Sequence, residues 1–288
     1  MATKAQHHRF INTADEHQQE IIKLLQAVAR SRGLARVWAD WVEMGAIAIA
    51  NGVDRTQFKQ REERYLNIVS QYQKEEVHRL VNAFAHLVQC WDKRVTTGEF
   101  GDVLGSTYMM LDMGNASTGQ FFTPYDVSRI MASIILGAPD MLKIELQKKG
   151  FLSLQEPACG AGGMVIAVVH SLAETEINYQ QAIHVTAIDV DRRCVHMTFL
   201  QLALLHVPAI VIQGNALTLE TAEFWYTPAH IWGGWSQRLK QPQSDSDLAQ
   251  LLVSKSDVKQ REPSNDVPEQ HLMSALHKGV QTGQISLF

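Results

Sequence analysis

From residue 150 onward the sequence alternates short apolar runs with stretches of helical length, and that alternation constrains the fold most. "FLSLQEP" reads as a strand, "GMVIAVVHSLAETE" as a helix, "IHVTAIDVD" as a second strand and "RCVHMTFLQLALLH" as a second helix. "AIVIQGNAL" is a third strand and "FWY" a fourth. Strand–helix alternation at this spacing implies a parallel, doubly wound sheet with both faces covered. The fold class expected is α/β, with a Rossmann-like sheet. Ligands in such sheets lie beyond the carboxyl ends of the strands, so the residues just after each strand carry the functional argument.

Before this region, residues 17 to 92 read as helices. "EIIKLLQAV" puts Ile21, Ile22, Leu24, Leu25 and Val28 on one face, with Gly33 as a stop. "LARVWADWVEMGAIAIANG" repeats the pattern, Asp54 with Gln57 would cap a third helix, and Val77 to Trp91 mark a fourth. The tryptophans read as core. Arg55, Lys59, Arg61 and Arg64, diluted by Glu62 and Glu63, read as a solvated face. Past residue 236 the chain is polar and proline-dotted, a flexible or loosely helical tail. The expected division is a helical domain over 1–98, the α/β domain over 99–235 and a tail over 236–288.

Length and composition fit a globular protein: 288 residues, 45% hydrophobic and 19% charged. Three cysteines without paired spacing argue against a disulfide framework or a zinc site, and no metal is expected. "MATKAQHHRF" lacks an apolar core, and the apolar run near "MGAIAIA" is too short for a bilayer. A cytoplasmic protein without a membrane partner is the expectation. The net charge of −4 provides no global basic field, so contact with nucleic acid must use a local patch.

The first strand runs into Glu156-Pro157-Ala158-Cys159-Gly160-Ala161-Gly162-Gly163 and then a helix. Glycines there allow a tight turn and bring amide N–H groups close to a ligand. The spacing is neither the dinucleotide fingerprint nor a phosphate loop. After the second strand, Asp189 is placed to accept ribose hydroxyls, whereas Asp191 suits a helix N-cap. After the third, Asn215 can donate to and accept from an adenine edge, or simply serve its own turn. Upstream, "GQFFTPYDVSRIM" sets Thr123 as an N-cap and Pro124 at the first helical position.

The order "GDVLGSTYMMLDMGNASTGQFFTP", "EPACGAGG", "AIDVD", "GNALTL" resembles the N6-adenine DNA methyltransferases, and within them the methylation subunits of type I restriction–modification systems. The resemblance covers about residues 100 to 230, and the N-terminal half also resembles their helical domain. It implies S-adenosylmethionine as cofactor and DNA as substrate. Phe122, Thr123 and Pro124 would line the methionine end; Glu156, Pro157, Ala158, Cys159, Gly160, Gly162 and Gly163 would hold the amino-acid part. Asp189 would take the ribose and Asn215 the adenine.

The family's catalytic motif, Asn or Asp, Pro, Pro, then Tyr or Phe, follows its fourth strand. Here Thr227-Pro228-Ala229-His230 follows "FWY". An adenine amine is a poor nucleophile, and two acceptors must orient it while an aromatic ring stacks on the flipped base. In an active variant motif the Thr227 hydroxyl or Pro228 carbonyl would orient the amine and His230 would stack. The competing reading is a decayed site that binds cofactor, DNA or a protein without transfer. Few residues follow the motif, so recognition of base edges should be slight and single-stranded DNA favoured. A nicotinamide oxidoreductase is disfavoured by the glycine spacing, and a small-molecule methyltransferase by "GQFFTP".

The chain ends in Gln284-Ile285-Ser286-Leu287-Phe288. This resembles the peptide by which bacterial proteins hold the sliding clamp, with Gln284 in a polar pocket and Leu287 and Phe288 in an apolar groove. The resemblance implies the clamp as a second partner.

Overall fold

The computed structural model describes residues 14–30, 32–111, 113, 122–240 and 285–286. Four helices come first: α1 (Glu16–Ala29), α2 (Leu34–Val53), α3 (Phe58–Val69) and α4 (Lys74–Thr97). Asp15 caps α1 by accepting from the Gln18 amide. Gln73 and Glu76 form a capping box on α4, which stops at Gly98 in the left-handed conformation. Then follow α5 (Val103–Met110), α6 (Tyr125–Leu136), α7 (Pro139–Lys149), β1 (Leu152–Glu156), α8 (Gly163–Glu174), α9 (Tyr179–Ala182), β2 (Ile183–Asp189), α10 (Arg192–Leu204) and β3 (Ala209–Asn215). The last elements are β4 (Glu220–Tyr226), α11 (Pro228–Trp232), α12 (Trp235–Arg238) and β5 (Ile285–Ser286). The architecture is mixed α/β, a helical region leading into a mostly parallel sheet.

The sheet order is β4-β3-β2-β1-β5. β1, β2, β3 and β5 are parallel, but β4 runs antiparallel to β3, with Ile210 opposite Tyr226 and Asn215 opposite Glu220. This departs from the sequence expectation of a continuing parallel series. Only residues 216–219 join the two strands. A parallel neighbour needs a crossover of a dozen residues or more, so the chain can only fold back as a hairpin. Leu219 takes a positive φ of 62° to close it.

One buried cluster runs from Ile21, Trp38 and Leu87 through Val165 and Phe199 to Trp225. The α2 tryptophans, Trp38 and Trp41, are core, as their spacing predicts. The basic stretch is different. Arg61 is fully buried, paired with Asp54 at 2.8 Å, stacked 4.4 Å from the Trp225 ring and donating to the Phe224 carbonyl at 2.9 Å. Arg64 pairs with Glu43 and, at 2.6 Å, with Glu223. Half of the supposed solvated face therefore clamps β4, and it covers a sheet edge that would otherwise stand open. Asp54 caps no helix start: it ends α2, accepts from Thr56 and holds Arg61. At α6 the N-cap is Pro124, one residue later than expected, and it makes no side-chain cap bond.

After β4 the chain passes beneath the sheet. Trp235 is buried and sits edge-on to Phe151 at 5.1 Å, just before β1. Among the described residues no helix is long and apolar enough to cross a membrane. Of the tail expected over 236–288, residues 236–238 complete α12 and 241–284 lie outside the described residues.

Candidate cofactor site

β1 delivers Glu156 to the carboxyl edge of the sheet, and the glycine turn follows at once. Gly160 and Gly162 both take positive φ, 54° and 94°, a region glycine enters without steric cost. A Cβ on Gly160 would lie 3.0 Å from the Phe122 ring, and one on Gly162 3.2 Å from the Thr198 hydroxyl. The structure thus brings Phe122 onto the turn, with Thr123 and Pro124 exposed beside it. Cys159 and Gly163 are buried, whereas Ala158 is exposed and Pro157 half-buried. Cys159 is a free thiol, and burial pushes its pKa well up, so it contributes packing and no nucleophile.

Glu156 accepts from the Ala158 amide at 3.0 Å through Oε1, while its buried Oε2 has no partner. Burial, reinforced by the charge of Asp189, pushes its pKa up to about 7. A buried carboxylate oxygen without a donor is costly unless a donor arrives; a cationic ligand would meet that need. Asp189 Oδ2 accepts from the Gly160 amide at 2.9 Å and Oδ1 from the Asp191 amide at 2.9 Å. Burial raises its pKa, and those bonds oppose the rise. Asp191 caps α10 by accepting from the Arg193 amide at 2.8 Å, the role its position predicted. Asn215 Oδ1 accepts from the Leu217 and Thr218 amides at 2.9 and 3.3 Å, so its oxygen serves the hairpin turn.

Thr227, Pro228 and His230 do not join this edge. β4 runs against its neighbours, so its carboxyl end lies at their amino ends. The Thr227 amide donates to the Ala209 carbonyl at 3.0 Å, and its hydroxyl donates to Val207 O at 2.7 Å and accepts from the Ala209 amide at 2.9 Å. Thr227 also caps α11, with Pro228 at its first position. His230 is buried: Nδ1 meets His184 Nε2 at 2.9 Å, and Nε2 meets Ser236 Oγ at 2.9 Å. Burial pushes its pKa down to about 4. His184 and Asp189 stand at opposite ends of β2, about 16 Å apart at the rise of a strand. The expected catalytic trio is therefore a buried turn on the edge opposite the glycine turn. The hairpin is the physical reason.

Residues 99–231 match the family model of the N-6 DNA methylases. The segment spans both edges just described, from the start of α5 to the middle of α11. No curated protein sequence matches the chain. A solved structure from Listeria monocytogenes, assigned to the class I S-adenosylmethionine-dependent methyltransferases, is similar over 71% of this chain and 55% of its own, with 14% identity and a TM-score of 0.38. The chain spans just over half the length of that protein.

Within the methylase-matching segment, sequence reasoning missed the residues that hold the glycine turn. The Gln201 amide donates to Ala161 O at 2.6 Å and to Asp102 Oδ1 at 2.8 Å, and its oxygen accepts from the Leu104 amide at 3.0 Å. The Thr198 hydroxyl donates to Gly160 O at 2.9 Å. Asp102 is buried, with its pKa raised by burial, and caps α5. The signal available was polar residues inside the apolar pattern of α10. Gln284, Leu287 and Phe288, expected to hold a clamp, lie outside the described residues.

Proposed function

We propose that the chain is an S-adenosylmethionine-dependent DNA methylase domain of the adenine-N6 kind, with its cofactor crevice at the carboxyl ends of β1 and β2. The convergence of Phe122, Glu156, the Gly160 turn and Asp189 on one edge, inside the segment matching the N-6 DNA methylases, carries this reading. The unpartnered Glu156 Oε2 accepts from the ammonium of the methionine part. Gly160 to Gly163 pass beneath it without side chains. Asp189 keeps lone pairs for ribose hydroxyls beyond the two amides it accepts. The bound cofactor supplies an electrophilic methyl group.

Orienting an adenine amine falls to groups other than Thr227 and His230, whose side-chain polar atoms are spent at the other edge, where Pro228 also lies. That observation favours a second reading, in which the fold holds cofactor, DNA or a protein without transferring methyl. The charge of −4 supports a weak grip on duplex phosphates and so a preference for single strands; slight sequence specificity is part of the same proposal, and the clamp as partner rests on the residues of 284–288.

Calorimetry with S-adenosylmethionine, then nucleoside mass spectrometry after incubation with single- and double-stranded DNA, tests both. Binding with N6-methyladenine, faster on single strands, is the expected result for the first reading. Binding without methyladenine on any substrate establishes the second. Absence of cofactor binding overturns the first reading and narrows the second to a fold that holds DNA or a protein.

A further inference from the structure

Buried polar groups tie α5 both to the helical region and to the glycine turn. From α1, the buried Gln18 amide donates to the Ser106 and Thr107 hydroxyls at 2.9 and 3.0 Å. Its oxygen accepts from Arg94 of α4 at 3.2 Å. From α10, Gln201 accepts from the Leu104 amide and donates to Asp102 and to Ala161 O in the turn. Asp102 abuts the end of that turn, since a Cβ on Gly163 would lie 3.0 Å from its Oδ2. A row of rings makes the same crossing. Trp38 of α2 meets the Tyr108 ring edge-on at 5.6 Å, and Tyr108 meets Phe122 at 5.3 Å. Phe122 in turn rests on Gly160. Two routes of different chemistry thus leave the helical region, pass through α5 and end on adjacent residues, 160 and 161.

We propose that Gln18, Trp38 and Tyr108 are positioning residues for the cofactor, acting through α5 on Phe122, Gly160 and Ala161. Packing of the helical region and binding at the crevice then form one linked equilibrium. The link to the cofactor rests on the reading above; the hold on the turn does not. A close-packed interior transmits displacement instead of absorbing it, and a buried amide that loses its partners is costly. α5 therefore cannot shift against α1 and leave the turn in place. Linkage is reciprocal: loosening α5 from α1 weakens the cofactor, and the bound cofactor tightens α5.

Native-state hydrogen exchange and calorimetry on the full chain test this in Gln18→Met, Tyr108→Leu and Tyr108→Phe. Gln18→Met keeps the length of the side chain and removes its donors; Tyr108→Phe keeps the ring. The Gly160 and Gly162 amides, which donate to Asp189 and to Cys159 O, should exchange about fivefold faster or more in Gln18→Met and Tyr108→Leu. β3 amides should not change, and Tyr108→Phe should stay near the parent. Unchanged exchange at the turn overturns the hold, and so does an equal rise in β3, which marks general loss of stability. Affinity for S-adenosylmethionine should fall about fivefold or more in the same two variants, and saturating cofactor should slow exchange of the Leu104 amide in the parent. If the turn responds while affinity holds, the link to the cofactor is overturned. If the parent binds no cofactor, that link falls with the cofactor reading, and exchange still decides the hold on the turn.

Discussion

The two edges of the sheet look alike in sequence and are opposites in structure. Each carries small residues, a proline and polar side chains after a strand. At the carboxyl edge, glycines open the backbone and Glu156 keeps an unpartnered oxygen. At the amino edge, Thr227 and His230 have found protein partners and are buried. A site built for a ligand leaves polar capacity unspent; a turn built for stability spends it. Residue type does not separate the two, but the hydrogen-bond inventory does.

The largest expected effect falls on what holds the hairpin. Arg61→Ala would strand Asp54 as a buried charge and remove the clamp on Phe224 O. Breaking such a pair costs about 3–5 kcal/mol, to be read as the shift in unfolding free energy with urea. A loss below about 1 kcal/mol would mean that β4 is held by the hairpin alone.

The edges should also titrate in opposite senses. An unfolded histidine takes its proton near pH 6.5, whereas buried His230 resists until about 4. The unfolded state binds more protons across that window, so this contribution to stability is lost as pH falls from 6.5 to 4, by about 3 kcal/mol. Glu156 does the reverse. Its folded pKa of about 7 lies above the ordinary 4.5, so its contribution is lost as pH rises through that range. In the parent the two offset. In Glu156→Gln the loss on acidification should stand alone, visible as a steeper fall of Tm below pH 6.5. An unchanged slope would contradict the opposition. Cofactor affinity should rise with pH toward 7 in the parent and stay flat in Glu156→Gln.

Asp189→Ala removes a charged acceptor and should weaken S-adenosylmethionine binding by about 1.5–3 kcal/mol in calorimetry. His230→Ala should leave that affinity unchanged. It would cost about 1–3 kcal/mol of stability by leaving His184 and Ser236 without their partner. Should His230→Ala instead abolish methyl transfer in a protein of undiminished stability, the division between the edges fails.

Much of the fold was legible. The helical periodicity around Trp38 and Trp41, the strand–helix alternation and the glycine turn after β1 are local patterns, and each appears where the pattern put it. Asp191 as a cap was legible because capping is local. Arg61 was not: its partners Phe224 and Trp225 are far along the chain, and a charged residue on a helix looks solvated until something covers it. Gln201 was hidden for the same reason, since the carbonyl it holds belongs to another element.

The sequence by itself determined helices α1 to α4, strands β1 to β4 with α8 and α10 between them, the α/β class and the residues at the carboxyl ends of β1, β2 and β3. Periodicity, turn chemistry and strand order along the chain suffice for these. Tertiary structure alone decided which way β4 runs, and with it the edge where Thr227 and His230 lie. The short connection over 216–219 allows only a hairpin, and the Arg61 clamp locks the strand in place. A strand's side chains read the same in either direction; only its pairing tells which end of the sheet the next residue reaches.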